Sequence, residues 1–216
     1  MKILFRTALT MLLLVALSAT TFAVSRMNVY ENVDLQKVQR LAIGMPQYYP
    51  PPNAPTVNEV MNTMFTASRV SKIMILSYDD IASNIKRDKH IDIKQLPPKK
   101  AMSIYAANID KYADALVVAT ITSSGKRVGM GMFFEVRDAK DLSVMLCDYQ
   151  TTAGRGEAES DSVFKALSED FFHAFDNAVK KQAEDREVSA KEAAKAERQA
   201  VKDALKKNRA AKKSDK

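Results

Sequence analysis

Few side chains in this sequence are of the types that catalyse reactions or hold metal ions. The 216 residues include two histidines, His90 and His173, and one cysteine, Cys147. Glu169 lies one helical turn before His173, but a zinc or iron site needs more ligands than this pair supplies. Cys147 lies in an apolar segment away from both histidines, so we expect a small buried residue rather than a nucleophile or an intermolecular disulfide. The sequence predicts no catalytic, cofactor-binding or metal-binding residues.

The carboxylate pair Asp79 and Asp80 is the other candidate for acid–base chemistry. Adjacent residues at the start of a helix point apart, and carboxylates there are stabilised by the helix dipole without a catalytic role. A hydrolase with an unrecognised site would need a cleft that gathers Asp79, Asp80 and His90. The sequence also lacks a P-loop, a Gly-x-Ser-x-Gly motif and a dinucleotide fingerprint. We therefore predict that the protein is not an enzyme, with the hydrolase as the remaining enzymatic alternative.

Residues 1–23 have the three-part pattern of a secretory signal peptide. Lys2 and Arg6 provide a positive start, residues 8–17 are almost entirely apolar, and Thr21-Phe22-Ala23 is a small-x-small cleavage site. The apolar stretch is short for a membrane span, and no positive stop-transfer cluster follows it. We predict cleavage after Ala23 and a periplasmic or extracellular location, with an uncleaved membrane anchor as the alternative.

The net charge of +7 is spread unevenly. Residues 24–183 carry 20 basic and 19 acidic side chains, whereas residues 184–216 carry 11 and 7. The folded part is thus close to neutral, which argues against nucleic-acid binding. Residues 184–216 form a basic tail rich in Ala, Lys and Glu, which we expect to be helical or disordered. The end of this tail could act as an electrostatic tether to an anionic membrane or cell wall through Lys206, Lys207, Arg209, Lys212 and Lys213. The alternative interpretations of the tail are a weak coiled coil or a solvated segment.

Residues 24–183 have the alternating pattern of an exported α/β domain. Apolar runs predict five strands, at 40–45, 73–76, 115–122, 128–136 and 142–149. Helical spacing predicts helices over 57–70, 78–87, 98–112 and 160–182, and Thr56 with Glu59 predicts a capping box for the first. We expect a two-layer α/β sandwich with a mixed sheet of about five strands, helices on one face and a long C-terminal helix.

The segment that follows the first predicted strand is too rich in proline to be helical. It contains two adjacent tyrosines and three consecutive prolines, namely Tyr48, Tyr49, Pro50, Pro51 and Pro52. Such a polyproline-like loop is either an ordered connector or a partner-binding surface.

Residues 38–180 resemble a family of bacterial envelope modules. The run from Tyr112 through Ala113-Asp114-Ala115 into Leu116–Ile121, and the turn Val136–Leu142, are similar to segments of the CsgG-like and TolB amino-terminal modules. This resemblance implies a two-layer fold and a non-enzymatic role in envelope assembly or trafficking, with protein partners or self-association. Two departures are Ala119, at a position the family gives to glycine, and the lack of an acylated cysteine or pore-forming hairpin.

Together these observations favour an exported, non-enzymatic envelope protein that acts in the periplasm as a protein-binding or assembly module. Its expected partners are envelope proteins or a second copy of the same polypeptide. The alternative is a peripheral protein that its basic tail holds at an anionic surface.

Overall fold

The computed structural model describes residues 27–123, 130–153 and 159–214. The leader predicted at 1–23 lies outside the described residues, as does most of Ser123-Ser124-Gly125-Lys126, whose residue types are typical of a hairpin turn. Within the described ranges, six strands form one sheet in the order β1-β6-β5-β4-β2-β3. The strands are β1 (Met27–Val29), β2 (Arg40–Ile43), β3 (Met74–Leu76), β4 (Ala115–Ser123), β5 (Met130–Asp138) and β6 (Met145–Thr152).

Four α-helices accompany this sheet in the described part of the protein. They are α1 (Val57–Ala67), α2 (Tyr78–Lys89), α3 (Pro98–Ala106) and α4 (Asp161–Ser214). Thr56 caps α1 through the predicted box with Glu59, and Ser77 caps α2 through a second box with Asp80. Both boxes satisfy backbone N–H groups that a helix start otherwise leaves unpaired, so they fix where each helix begins.

The sheet combines a parallel half with an antiparallel half. β2 pairs in parallel with both β3 and β4, because α1, α2 and α3 provide the crossovers between them. β4, β5, β6 and β1 continue the sheet as antiparallel pairs. The α/β class and the mixed sheet are thus confirmed. The sequence analysis missed β1, which has only three residues and pairs with β6 at the far edge.

One face of the sheet packs against α1 and α4. Alternate residues of β4 and β5, such as Val117 and Phe134, point into this core together with the phenylalanines of α4. Phe134 stacks on Phe171 with 4.4 Å between ring centroids, and both rings are fully buried. The three buried phenylalanines at 171, 172 and 175 therefore anchor α4 across the sheet.

The opposite face of β2 and β4 is also covered, which corrects the expectation of helices on one face. Ala42 and Leu116 face a second core built with α2 and α3. Tyr78 of α2 stacks on Tyr105 of α3 at 5.0 Å, and the Tyr105 hydroxyl donates a hydrogen bond to the Ile43 carbonyl at 3.0 Å. Apolar residues on both sides of a strand require cover on both sides, so this part of the sheet lies between two helical layers.

Helix α4 continues well beyond the predicted boundary at residue 183. The Gln182 side chain accepts a hydrogen bond from the Leu35 N–H at 2.8 Å and donates one to the Val33 carbonyl. Arg186 pairs with Asp34 at 2.8 Å. Residues 187–200 are exposed, and the helical backbone runs on to Ser214. Among the residues that the structure describes, no helix is both long enough and apolar enough to cross a membrane.

Candidate functional site

The loop after β2 is fixed at its start by backbone pairing with the central strand. The Gln47 N–H donates to the Ala119 carbonyl at 2.8 Å, and the Ile121 N–H donates to the Gln47 carbonyl at 3.0 Å. These two bonds extend β2 as an isolated parallel bridge beside β4. The loop therefore leaves the sheet from a defined position.

Tyr48 is an anchor of this loop and not part of a binding surface. Its ring is 6% exposed and meets Phe164 edge to face, with 5.6 Å between centroids. Its hydroxyl donates a hydrogen bond to Glu159 Oε2 at 2.7 Å. Burial, together with this bond to a carboxylate, raises the pKa of Tyr48. The inclusion of Tyr48 in the partner-binding set was wrong, because extended backbone turns adjacent side chains in opposite directions.

Tyr49 points the other way and is 96% exposed. Pro50, Pro51 and Pro52 are exposed as well. The backbone then turns at Asn53, whose φ is 68°, and the Ala54 N–H donates to the Pro51 carbonyl at 3.1 Å. With Gln47 and Tyr48 at one end and the capped start of α1 at the other, we define residues 49–52 as the Tyr49 loop. Whether this loop binds a partner stays a prediction.

The residues of the hydrolase alternative are not brought together. Asp80 accepts hydrogen bonds from the Ser77 N–H and hydroxyl, at 2.8 and 2.7 Å, within the cap of α2. Asp79 pairs with Lys94 at 2.7 Å. His90 lies at the opposite end of the 12-residue helix, in the left-handed C-cap position with φ of 58°, and is exposed. One and a half ångströms per residue place the two ends about 16 Å apart, so these three side chains form no common cleft.

The remaining candidates for chemistry have structural roles or none. His173 is exposed, and Glu169 pairs with Lys165 at 3.7 Å. In the ranges that the structure describes, no three His, Cys, Asp or Glu side chains are grouped to hold a metal ion. Cys147 is fully buried on β6, and burial first and Asp148 second raise the pKa of its thiol. Cys147 is thus the buried strand residue that the sequence predicts.

The basic end of the protein lies on the helical backbone of α4. Lys206, Lys207, Arg209, Lys212 and Lys213 fall within the Asp161–Ser214 range. The helical form of this tail is therefore shown, and its role as a tether stays a prediction.

Sequence reasoning missed a cleft between α1, α2 and the start of α3. Its volume is about 370 Å³, and its lining includes Asn58, Asn62 and Tyr78. The signal for it was present but weak: Asn58 and Asn62 lie four residues apart, and so share a helix face, but nothing in the sequence places Tyr78 beside them.

Comparisons with known proteins find only solved structures of low sequence identity and low TM-score. No family model matches the sequence, and no curated protein matches it. Among solved structures, the PelC dodecamer from Paraburkholderia phytofirmans is 11% identical, with a TM-score of 0.39 over 70% of this chain and 96% of its own. The C-terminal domain of LpoB from Escherichia coli is 9% identical, with a TM-score of 0.41 over 58% and 87%. Lipoprotein GNA1162 from Neisseria meningitidis is 16% identical, with a TM-score of 0.31 over 60% and 91%. The resemblance to CsgG-like and TolB amino-terminal modules stays a prediction.

Proposed function

We propose that this protein is an exported, non-enzymatic envelope protein that acts in the periplasm as a protein-binding or assembly module. The leader pattern of residues 1–23 supports export. The observation that carries the binding role is Tyr49, a large aromatic residue that is 96% exposed on a loop pinned at both ends. Tyrosine is enriched at protein interfaces, and an exposed tyrosine on a conformationally restricted loop is suited to bind a partner.

The physical argument rests on the free-energy cost of ordering a loop when it binds. Proline restricts φ, so Pro50, Pro51 and Pro52 limit the conformations of the free loop before any partner arrives. The buried ring of Tyr48 holds the start of the loop, and the hydrogen bond from the Ala54 N–H to the Pro51 carbonyl closes a turn at its end. A pre-ordered loop loses little conformational entropy on association, and the contact area of Tyr49 then contributes to affinity.

The test is retention of an envelope protein by the immobilised protein, compared between two exposed substitutions. Tyr49→Ala removes the proposed anchor, while Val188→Ala removes a side chain that is 54% exposed on α4. We expect Tyr49→Ala to weaken retention of the same partner at least about tenfold, the effect of losing 1.4 kcal/mol at an interface anchor. Equal retention by both variants, or turnover of a substrate by the purified protein, would contradict the proposal.

A second proposal is that the tail tethers the protein to an anionic membrane or cell-wall surface. The observation that favours it is the continuity of α4, which carries the basic segment about 30–40 Å beyond Arg186 at 1.5 Å per residue. Neutralising Lys206, Lys207, Arg209, Lys212 and Lys213 to glutamine keeps the length of the tail and removes its charge.

For this tether we expect the unmodified protein to sediment with phosphatidylglycerol vesicles at low salt and to be released as salt rises. The neutralised variant should stay in solution, because screening and charge removal act on the same attraction. Sedimentation of both proteins to the same extent, or insensitivity to salt, would exclude the tether.

A further inference from the structure

A groove between β1 and α4 lies at an open edge of the sheet. β1 ends the sheet on one side, and no other strand in the described part of the chain pairs with its outer edge. The groove has a volume of about 570 Å³, and its walls are the three residues of β1 and one face of α4. An open strand edge presents backbone N–H and C=O groups that can pair with another strand.

Two residues of β1 direct their backbone groups into this open edge. The Tyr30 N–H donates to the Leu146 carbonyl at 3.1 Å, so Tyr30 bonds with β6. In an antiparallel ladder, alternate residues bond with the same neighbour, so Asn28 also bonds with β6, whereas Met27 and Val29 face outward. Met27 and Val29 lie symmetrically about Asn28. In an antiparallel pair of β1 strands, each Met27 can therefore exchange both backbone hydrogen bonds with the opposite Val29.

The wall that α4 contributes is a continuous helix face. It consists of residues at helical spacing, namely Ala174, Asn177, Ala178, Lys181, Gln182 and Asp185. Met27 and Val29 pack against the core on the α4 side of the sheet, but they are only half-buried because the sheet ends beside them. A second β1 places its own Met27 and Val29 on the same side, so the two pairs complete each other's burial.

Lys181 and Asp185 give this helix face a self-complementary charge pattern. Both line the groove and are exposed, and neither forms an ion pair with any residue that the structure describes. The neighbouring Lys180, in contrast, pairs with Glu184 at 3.6 Å on another face of the helix. A two-fold axis normal to the sheet makes the α4 helices of two copies antiparallel, so Lys181 of each copy meets Asp185 of the other.

The strand edge and the helix face are thus matched by the same two-fold axis. A strand edge of three residues is too short to hold two molecules together by itself, so the contact between the helices has to add to it. An unrelated peptide could pair with β1, but it would not carry the opposite charges in the arrangement that this face needs. The combination of the two patterns selects a second copy of the protein as the occupant.

We infer that two copies of this protein associate through β1 and α4 into a two-fold dimer whose two sheets form one continuous sheet. The β1 strands pair antiparallel at the centre, and the α4 helices lie side by side with Lys181 opposite Asp185. This interface is separate from the Tyr49 loop and goes beyond the proposed function. Tyr49→Ala should therefore leave the dimer intact, whatever that substitution does to the binding of an envelope partner.

Charge reversal with analytical ultracentrifugation tests the contact between the helices. We expect residues 24–216 to show a monomer–dimer equilibrium at low salt. Lys181→Glu and Asp185→Lys should each weaken the dimer at least about tenfold, because each places like charges opposite one another. An equimolar mixture of the two variants should restore association, since the new acid of one variant then faces the new base of the other.

Lys180→Glu is the matched control, because it makes the same charge change on another face of α4. It should leave the dimer affinity unchanged within about twofold, since exposed charges away from an interface contribute little. A monomer at every concentration up to about 1 mM, equal weakening by Lys180→Glu, or no recovery in the mixture would overturn the inference.

A cysteine crosslink tests the pairing of the strands. Asn28 lies on the proposed axis, where opposite Cβ atoms are about 4.5–5.5 Å apart, so Asn28→Cys should give a disulfide-linked dimer on mild oxidation. Cys147 is fully buried and should not contribute. Met74→Cys, at a site that is 59% exposed on the opposite edge strand, is the control and should stay monomeric. No crosslink from Asn28→Cys, or the same yield from Met74→Cys, would overturn the proposed pairing.

Discussion

At the level of single residues, the adjacent tyrosines Tyr48 and Tyr49 have different roles: Tyr48 stabilises the fold, and Tyr49 is the proposed binding residue. Tyr48 is 6% exposed and hydrogen-bonded to Glu159, whereas Tyr49 is 96% exposed. Tyr48→Phe should lower the free energy of unfolding by about 0.5–1.5 kcal/mol, because it removes one hydrogen bond from a largely buried group. Tyr49→Phe should change it by less than about 0.5 kcal/mol. Urea denaturation of both variants measures the difference, and equal effects would show that the two side chains have similar surroundings.

Cys147 gives a second prediction at this scale. Its thiol is fully buried, and burial raises its pKa, so almost no thiolate is present near neutral pH. We expect a disulfide reagent such as dithionitrobenzoate to leave the native protein unmodified and to react with one thiol per molecule in guanidinium chloride. Rapid, stoichiometric reaction of the folded protein would show that β6 opens or that the residue is accessible.

At the scale of elements, the junction of β2 and β4 depends on one carboxylate. Asp114 accepts hydrogen bonds from the N–H groups of Gln39 and Arg40, at 3.1 and 2.9 Å, and from the Arg40 guanidinium at 3.0 Å. Partial burial acts to raise the pKa of Asp114, but the bonds from Arg40 and Gln39 outweigh it, and the pKa is lower than in the unfolded state. The carboxylate therefore contributes stability above its unfolded pKa of about 3.9, and that contribution is lost as pH falls through the lower, folded value.

Because the pKa of Asp114 is lowered in the folded state, the stability that this residue contributes should depend on pH. Asp114→Asn should lower the free energy of unfolding at pH 7 by about 1 kcal/mol, a value reduced for solvent screening. The difference between the two proteins should shrink as the pH falls below about 4, because the protonated Asp114 then resembles asparagine. Denaturation at a series of pH values tests this, and a gap that stays constant or widens in acid would contradict the role given to Asp114.

Features that depend on residues close together in the sequence were predicted well. The position of each strand in the sheet, which depends on distant residues, was predicted less well. The box of Thr56 and Glu59 depends on residues three apart, so the sequence contains all of it. The apolar run at 73–76 is typical of a buried strand, yet β3 is an edge strand and Met74 is 59% exposed. An apolar run does not tell a central strand from an edge strand. The sequence also did not show that Asn62 and Tyr78, on two different helices, line the same cleft.

At the scale of the whole molecule, α4 belongs to the folded domain only as far as Arg186. Gln182 holds the 33–35 segment through two hydrogen bonds, and residues 187–200 are exposed. Deleting residues 187–216 should therefore change the free energy of unfolding by less than about 0.5 kcal/mol, whereas Gln182→Ala should lower it by about 1–2 kcal/mol. Thermal or urea denaturation of the truncated protein and of the Gln182→Ala variant measures both effects. A large loss on truncation would show that the extension packs against the domain.

We propose that the molecule is an exported scaffold whose Tyr49 loop contacts a protein partner. The most direct measurement places a photo-reactive amino acid at position 49 in living cells, with position 188 on α4 as the exposed control. We expect a discrete protein adduct in the periplasmic fraction from position 49 and none of the same mass from position 188. Absence of an adduct at 49, the same adduct from both positions, or recovery of the protein in the cytosol would contradict it.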